Sequence, residues 1–252
     1  MDRIDIIIPT YKNEHLTKRC IRSIMTYTEH PYRIIWVDDG SPTRSAIEVL
    51  YCLNRTRVDF KHHCFLENRG PASAINRGLQ IAESNIIAIL NNDVVVTNGW
   101  LTKLVSAISD PEKNIGILSA VTDHASSICK YDRLAKALGL EPIEPIAQFF
   151  NSLPEQTRSV VTNISYFCAV IKREVIEKVG YLDEQFYMGG EDDDYNDRVR
   201  IAGYETAVCV NCFVYHDHHA SFTHVPDIGE RRRQNVVLLR QKRAERARVA
   251  AL

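Results

Sequence analysis

Polar side chains follow three apolar runs in the first hundred residues, at the points where predicted strands would end. They are Pro9, Thr10 and Tyr11 after the first run, Asp38, Asp39, Gly40 and Ser41 after the second, and Asn91, Asn92 and Asp93 after a later one. In open α/β sheets ligands bind beside the carboxyl ends of the strands. There an aromatic ring can stack on a base, and a carboxylate can accept from a base N–H or a ribose hydroxyl. The three groups together indicate a nucleotide pocket, although each alone also fits turn or packing chemistry.

The last of these groups also suits a metal ion. Asn91, Asn92 and Asp93 carry the hard oxygen ligands that Mg²⁺ or Mn²⁺ prefers when it bridges phosphate oxygens. Mg²⁺ retains several waters and takes one or two carboxylates, so Asp93 is a sufficient anchor. The alternative is an Asx turn that ends the strand.

Four consecutive acids, Glu191 to Asp194, follow a Gly-Gly pair and open a predicted helix. The helix dipole favours each acid in a first turn by about 0.3–1 kcal/mol, less their mutual repulsion. That does not explain why four are adjacent, whereas a base that accepts a substrate proton beside an acid that holds substrate hydroxyls requires such a cluster. Asp194 and Arg198 are four residues apart and should pair, which leaves Glu191 and Asp192 to face a cleft. Like charges should raise the pKa of Asp192 and the helix N-terminus should lower it, leaving it ionised near neutral pH.

Cysteines and histidines near the end of the chain allow a zinc interpretation. Cys209 and Cys212 are followed by His216, His218 and His219. A structural zinc site usually combines two ligand pairs at regular spacing, which these residues lack. One buried face of a strand is the simpler explanation, and His216 then follows that strand as the other polar groups follow theirs.

The elements that must position these groups follow from hydrophobic patterning. Short apolar, β-branched runs alternate with amphipathic stretches, which is typical of βαβ units and a mainly parallel sheet. Leu16, Cys20, Ile24 and Tyr27 share one helical face, so a crossover helix joins the first two strands. The predicted strands are 4–8, 33–37, 58–66, 86–90, 115–121, 165–171 and 206–215, and later helices are predicted at about 173–179 and 191–202.

Length and composition indicate an ordinary folded protein. The 252 residues suit one α/β domain, and 45% apolar with 25% charged residues argue against disorder or a coiled coil. A formal net charge of −1 provides no field to attract nucleic acid. Seven scattered cysteines indicate free thiols in a reducing compartment. No signal peptide and no spanning run of about 20 apolar residues is evident, so we expect a cytoplasmic protein, at most peripheral at a membrane.

The C-terminal tail differs from the rest of the chain. Residues 231–252 carry eight basic side chains and one acid, a net +7, so residues 1–230 carry −8. We expect a basic helix. It would either pack the side formed by Val236, Val237, Leu238 and Leu239 on the domain or contact an anionic membrane or a phosphate-bearing substrate.

Six segments occur in a specific order: IDIIIPTYKN, WVDDGS, ENRGPASAINRGL, AILNNDVVV, GGEDDDYNDRVRIAGY and VYHDHHASF. Over roughly residues 4–222 the chain resembles family 2 glycosyltransferases, particularly bacterial enzymes that extend cell-surface polysaccharides. The resemblance implies a GT-A fold, with a Rossmann-like, mainly parallel sheet flanked by helices. It implies a single domain over 1–230, with a nucleotide-sugar half at about 1–98 and an acceptor-binding, catalytic half at about 99–230, before the helical tail at 231–252.

Site residues are carried over from the resemblance position by position. It implies that a nucleotide-diphosphate sugar lies against Pro9, Thr10, Tyr11, Asp39, Asn68, Arg69, Gly70, Asn91 and Asn92. Asp93 and His216 would hold Mg²⁺ or Mn²⁺, with His218 and His219 as alternatives to His216, and Asn91 replaces the first acid of the family's Asp-x-Asp by a neutral ligand. Asp192 matches the catalytic base, and Glu191 matches a residue that touches the acceptor.

The implied reaction is inverting transfer of a sugar to a hydroxyl of a saccharide or lipid-linked acceptor. One rival is a metal-dependent nucleotidyltransferase acting on sugar phosphates, which typically has a glycine-rich, basic phosphate loop after its first strand; residues 9–13 form no such loop. A second rival is a catalytically silent nucleotide-sugar-binding module, and the presence of Asp93 and Asp192 argues against it. No motif identifies the sugar, the nucleotide or the acceptor.

Overall fold

The structure, a computed structural model, describes residues 2–122, 143–154, 157–160, 163–217 and 227–250. Its strands are β1 (Ile4–Thr10), β2 (Tyr32–Asp38), β3 (Phe60–Cys64), β4 (Ile86–Leu90), β5 (Val94–Val95), β6 (Ile115–Thr122), β7 (Thr157–Val160), β8 (Cys168–Lys172) and β9 (Glu205–His216). Its helices are α1 (Glu14–Tyr27), α2 (Thr43–Asn54), α3 (Pro71–Ile81), α4 (Trp100–Ile108), α5 (Ile143–Ser152), α6 (Arg173–Val179), α7 (Glu191–Ile201) and α8 (Ile228–Ala250).

The strands form one sheet in the order β3-β2-β1-β4-β8-β6-β9-β5, and β7 also pairs with β9. Strands β1 to β4 pair in parallel, as the predicted βαβ units require. Strand β8 is antiparallel to both β4 and β6, β9 is parallel to β6, and β5 and β7 are antiparallel to β9. The predicted fold class is confirmed, with a parallel first half and a mixed second half.

The sheet interior explains the apolar runs. Ile6, Ile7 and Ile8 of β1 are fully buried, because helices cover a parallel sheet on both faces. Helix α3 approaches β1 so closely that a Cβ added at Gly78 would lie 2.3 Å from Cγ2 of Ile7. Packing around β1 therefore leaves little freedom in the strand that leads to Thr10.

The strand register aligns the polar groups at one edge of the sheet. Thr10 pairs with Asp38, and Ile7 pairs with Ile89, so β1, β2 and β4 end side by side. The loops that follow these three strands carry the three polar groups singled out in the sequence.

Helix α8 packs against the domain with a mostly polar inner face. Asn235 and Leu239 are buried, whereas Val236 and Val237 are about half exposed at 50% and 54%. The expected apolar contact of Val236 to Leu239 is thus wrong for both valines, because consecutive residues of a helix point in different directions. Among the described residues, no helix combines the length and apolar character needed to cross a membrane.

Candidate active site

The ends of β1 and β2 bring the first two predicted groups together. The N–H of Asp39 donates to the carbonyl oxygen of Thr10 at 2.8 Å, which joins the two strand ends beyond their ladder. Pro9 and Tyr11 on either side of Thr10 are partly exposed. This edge therefore keeps accessible surface on which a ligand can rest.

Asp39 holds the loop that was predicted to border the nucleotide. Its two carboxylate oxygens accept the backbone N–H groups of Arg69 and Gly70, each at 2.8 Å. Burial raises the pKa of Asp39 to about 6, and the two backbone N–H groups oppose that rise. Arg69 and Gly70, and with them the adjacent Asn68, are thereby tied to the end of β2.

In the turn after β2, the backbone of Gly40 lies very close to the backbone of Glu67. Gly40 has a φ of +74°, and a Cβ there would lie 2.3 Å from the carbonyl carbon of Glu67. One oxygen of Asp38, Oδ2, accepts the N–H of Ser41 at 2.9 Å. Its other oxygen, Oδ1, is buried and has no hydrogen-bond donor within the described residues, so it is available to a donor on a ligand.

Tyr187 joins this loop to the second half of the chain, a contact that was not predicted from the sequence. Its hydroxyl donates to Oδ1 of Asn68, 119 residues away. Its ring covers Gly70, where an added Cβ would lie 2.9 Å from Cδ2 of the tyrosine. Local patterns cannot reveal a contact of this sequence separation.

The predicted metal ligands meet where β5 pairs with β9. Val94 is the register partner of His216, and this pairing sets Asp93 beside the histidine, with Nε2 of His216 at 3.2 Å from Oδ1 of Asp93. Nδ2 of Asn91 lies 3.5 Å from the same ring nitrogen. Asn92 is directed elsewhere, because its Nδ2 donates to Oγ1 of Thr17 in α1 at 3.0 Å.

These side chains fit a divalent cation. Oδ1 of Asp93 is buried and forms no hydrogen bond within the described residues, although Nε2 of His216 lies 3.2 Å away. A cation bound there would be held by both side chains. No group of three or more His, Cys, Asp or Glu side chains suited to a metal occurs in the part of the chain that the structure describes. A cation held by Asp93 and His216 would therefore take further ligands from phosphate oxygens and water. His218 and His219 lie outside the described residues.

The zinc interpretation finds no support within the described ranges. Cys209 and Cys212 are fully buried in β9, within the irregular stretch between Val208 and Phe213 where its register with β6 shifts. Phe213 is also fully buried, so β9 is covered on both faces and not on the single face that was expected. His216 is directed to Asp93 instead of the cysteines.

The acidic cluster begins α7, as predicted. Oε2 of Glu191 accepts the N–H of Gly189 at 2.8 Å, and Oδ1 of Asp192 accepts the N–H of Asp193 at 2.9 Å. Asp194 pairs with Arg198, Nε to Oδ2 at 2.8 Å, which confirms the expected pair four residues apart. Asp194 is fully buried and also accepts from Arg246 of α8, so its role is structural.

The pKa of Asp192 is raised well above its usual value. Burial is the largest cause, followed by the charges of Glu191 and Asp193, while nearby backbone N–H groups lower it. The pKa of Glu191 is also raised, again chiefly by burial. The sequence led us to weigh only neighbouring charge against the helix N-terminus, and it missed burial as the dominant effect.

Tyr166 and Phe167 connect the metal ligands with α7. The carbonyl oxygen of Phe167 accepts the N–H of Asn91 at 2.8 Å, and its ring stacks on His216 with centroids 5.2 Å apart. The hydroxyl of Tyr166 donates to Oδ1 of Asn196 in α7 at 3.1 Å. Sequence patterns assigned neither residue a role, since both lie in an ordinary apolar run.

Known proteins share this architecture. A mannosyltransferase from Pyrobaculum calidifontis, solved with GDP-Man and Mn²⁺, superposes with a TM-score of 0.69 at 20% identity, covering 96% of this chain and 64% of that one. GalNAc-T7, solved with UDP, GalNAc and Mn²⁺, gives a TM-score of 0.66 at 15% identity, covering 84% of this chain and 43% of that one. These likenesses confirm the predicted GT-A fold.

Sequence comparison finds the same family. The pre-mycofactocin glycosyltransferase of Mycobacterium tuberculosis is 28% identical over 221 residues, which are 85% of this chain and 43% of that protein. The chain therefore spans less than half the length of this relative. The family profile described as Glycosyl transferase family 2 matches residues 5–180, and the chain accordingly belongs to glycosyl transferase family 2.

Proposed function

We propose that this chain transfers a sugar from a nucleotide-diphosphate sugar to an acceptor hydroxyl, with inversion at the anomeric carbon. The observation that carries the proposal is that Tyr187 and the Tyr166–Phe167 segment connect the donor-side motifs with the acidic helix α7 and the residues that lead into it. Tyr187 reaches Asn68, and the Tyr166–Phe167 segment contacts Asn91, His216 and α7. Membership of glycosyl transferase family 2 supports the same reaction.

The donor nucleoside would lie on the edge formed by the ends of β1 and β2. Tyr11 and Pro9 offer surface to the base, and Asp38 and Asp39 offer acceptors to its N–H groups or to ribose hydroxyls. The Asn68–Gly70 loop, held by Asp39, would border the diphosphate side. Asn91 would contact the same part of the donor, whereas Asn92 would support it through α1.

Asp93 and His216 would hold Mg²⁺ or Mn²⁺ at the diphosphate. A bound divalent cation stabilises the charge that grows on the leaving nucleoside diphosphate. Asp93 contributes its buried oxygen Oδ1, and the stacking of His216 on Phe167 fixes the plane of the imidazole. These residues thus orient the donor and leave its sugar directed toward the acceptor side.

Asp192 would act as the base. As the acceptor oxygen forms its bond to C1, Asp192 takes the hydroxyl proton, and the electron pair of the C1–O bond leaves with the nucleoside diphosphate. Displacement from the opposite face inverts C1, which carries oxocarbenium character in the transition state. Glu191, fixed by the N–H of Gly189, would hold other hydroxyls of the acceptor.

The proposed acceptor is a saccharide or a lipid-linked saccharide, as in the synthesis of cell-envelope polysaccharides, and the proposed location is cytoplasmic. The outer face of α8 would contact an anionic membrane surface. Arg233, Arg240 and Arg248 are exposed there, and Val236 and Val237 between them are half exposed. Each basic side chain near such a surface contributes on the order of 1 kcal/mol.

A panel of nucleotide sugars tests the function directly. Binding and slow hydrolysis of one donor should depend on Mg²⁺ or Mn²⁺ and stop with a chelator, and transfer should follow when hydroxyl acceptors are added. A nucleotidyltransferase would instead form a nucleotide sugar and pyrophosphate from a sugar phosphate and a nucleoside triphosphate. A silent module would bind the donor without any turnover.

A further inference from the structure

The segment that leads into α7 has an unusual backbone. Met188, Gly189 and Gly190 have φ values of 65°, 113° and 94°, three consecutive residues in left-handed or glycine-type conformations. A residue with a side chain, such as Met188, pays on the order of 1–3 kcal/mol there and keeps the conformation only where its surroundings enforce it. Something outside the segment must therefore hold it.

Asn235 of helix α8 is the side chain that holds it. Its Nδ2 donates to the carbonyl oxygen of Tyr187 at 3.0 Å and to that of Gly189 at 2.6 Å. An amide nitrogen has two hydrogens, and each finds one carbonyl. Asn235 is 8% exposed, so water offers little replacement for these two bonds.

The bonds continue from this segment to the acidic pair. The N–H of Gly189 donates to Oε2 of Glu191, so the same glycine is held by Asn235 at its carbonyl and by Glu191 at its nitrogen. The guanidinium of Arg231, one turn before Asn235, lies 4.4 Å from the centroid of the Tyr187 ring. Helix α8 thus holds the residue that precedes the strained segment, Tyr187, and its middle residue, Gly189.

We propose that Asn235 is a positioning residue for the Glu191–Asp192 pair. It contacts neither donor nor acceptor in this assignment and acts by fixing the backbone from which α7 begins. The inference rests on the proposed function for the role of Asp192 as base. Through the side-chain amide of Asn235, the tail helix α8 is then part of the transfer machinery.

Asn235→Ala tests the proposal, with Leu239→Ala as the matched control. Leu239 is buried on the same helix at 8% exposure and its side chain has no hydrogen-bond donor, so its truncation destabilises α8 without removing a hydrogen bond to the strained segment. We expect kcat to fall about tenfold in Asn235→Ala with donor KM nearly unchanged, since small displacements of a catalytic group cost this much or more. Asn235→Gln, which retains the donor amide, should recover part of the loss.

Hydrogen exchange of the peptide that spans residues 186–193 supplies a readout independent of activity. Exchange should be faster in Asn235→Ala than in Leu239→Ala at the same margin below each melting temperature. Equal exchange, unchanged kcat in Asn235→Ala, or an equal fall of kcat in both variants would overturn the proposal. If the wild-type chain transfers no sugar, the proposed function fails, and the exchange comparison still decides whether Asn235 holds the segment. Should Asn235→Ala not fold, Asn235→Ser, which keeps one donor, takes its place in both measurements.

Discussion

Two carboxylates of the candidate site have raised pKa values for the same main reason and with different consequences. Burial is the largest cause for both Asp39 and Asp192. At Asp39, two backbone N–H groups favour the charged form, which suits a group that accepts hydrogen bonds. At Asp192, neighbouring acids add to the rise, which suits a group that takes a proton.

Replacing Asp192 by Asn keeps the shape of the side chain and removes the base. We expect transfer to fall by about two orders of magnitude, within the range typical of general bases. Donor affinity should change little, because the donor is assigned to the strand ends. In the wild type, the rate should rise with pH through the raised pKa, since only the ionised carboxylate accepts a proton. Steady-state kinetics over a pH series, with donor binding measured separately, provides the test.

Asp193→Asn is the matched control for that variant, since it removes the same charge one residue away. It should retain transfer, and the acid limb of its pH profile should move to lower pH because a like charge that raises the pKa of Asp192 is gone. Near-normal transfer in Asp192→Asn would exclude Asp192 as the base. Loss of donor binding in that variant would instead assign it to the nucleotide pocket.

Asp93→Ala should abolish the stimulation of turnover by Mg²⁺ or Mn²⁺ and weaken donor binding, with the fold intact. The buried oxygen Oδ1 forms no hydrogen bond within the described residues, so the substitution breaks none at that atom and removes its contact with His216. The neighbouring Asn92→Ala is the contrast, because it removes a buried bond to Thr17 and should cost about 1 kcal/mol of unfolding free energy while metal stimulation persists. Titrating turnover with metal, alongside thermal melts, separates the two. Full metal-stimulated activity of Asp93→Ala would contradict the metal assignment.

Asp39 should make donor binding depend on pH. Below about pH 6 the carboxyl becomes protonated and loses acceptor capacity, so donor affinity should rise as pH increases through about 6 and then level off. For folding the sign is opposite: a raised pKa favours the neutral form, so this group's contribution is largest at low pH and is lost as pH rises through about 6. Calorimetric titration of the donor at several pH values, for wild type and Asp39→Asn, checks the first statement. A pH dependence that survives in Asp39→Asn would contradict it.

At the scale of the elements, the contact of α3 with β1 governs the position of the donor edge. Gly78→Ala should lower the free energy of unfolding by about 1–3 kcal/mol, because a Cβ would overlap Ile7 in a strand with no room to move. Stability would rise only if the gain in helix propensity from glycine to alanine, about 1 kcal/mol, exceeded the free-energy cost of the overlap with Ile7. Gly229→Ala in α8 is the control, since its nearest neighbour would be Nη1 of Arg233 at 4.0 Å. Denaturant unfolding of both variants gives the comparison, and equal stability would show that the overlap relaxes.

The central strands were predictable from sequence because burial on both faces leaves a continuous apolar run. The predicted strands 4–8, 33–37 and 86–90 correspond to Ile4–Thr10, Tyr32–Asp38 and Ile86–Leu90. Two short strands, Val94–Val95 and Thr157–Val160, escaped prediction because their pairing with β9 defines them. The antiparallel direction of β8 was not predicted either, because an apolar run does not indicate whether a strand is parallel or antiparallel to its neighbours.

The chemistry of the site was likewise more predictable than its support. Strand-end acids and amides such as Asp39 and Asn91 stand out by residue type and position. Tyr187, Phe167 and Asn235 do not, because their roles arise from contacts with residues far away in sequence. Such residues are ordinary in their local context and acquire a function only in the folded chain.

At the scale of the whole molecule, the basic tail helix is held on the acidic domain by ion pairs. The net +7 of residues 231–252 faces a domain of net −8. Nζ of Lys242 lies 2.6 Å from Asp183, Nε of Arg243 lies 2.6 Å from Asp197, and Arg246 contacts the buried Asp194. Burial would raise the pKa of Asp183, but Lys242, the N–H of Gln185 and the charge of Arg198 together lower it. This stabilisation is therefore present above the ordinary carboxyl pKa and is lost as pH falls through the lowered one.

Two sets of three substitutions separate packing from membrane contact in the tail. The inner set replaces Lys242, Arg243 and Arg246 by Gln, and the outer set replaces Arg233, Arg240 and Arg248 by Gln, so both remove the same charge from the same helix. Arg233 pairs with Glu230 on the exposed surface of α8, a contact of little weight for stability. The inner set should lower the unfolding free energy by about 1–3 kcal/mol and should reduce transfer, because Asp183 loses its ion pair with Lys242. Asp194 and Asp197 each lose one partner and keep Arg198 and Arg200. The outer set should keep stability and transfer to a soluble acceptor while losing salt-sensitive binding to vesicles of phosphatidylglycerol and phosphatidylcholine.

Vesicle sedimentation at low and high salt, with thermal melts, measures both effects. Undiminished vesicle binding by the outer set would remove the basis for membrane contact, and an unchanged melt of the inner set would show that its ion pairs do not secure the helix.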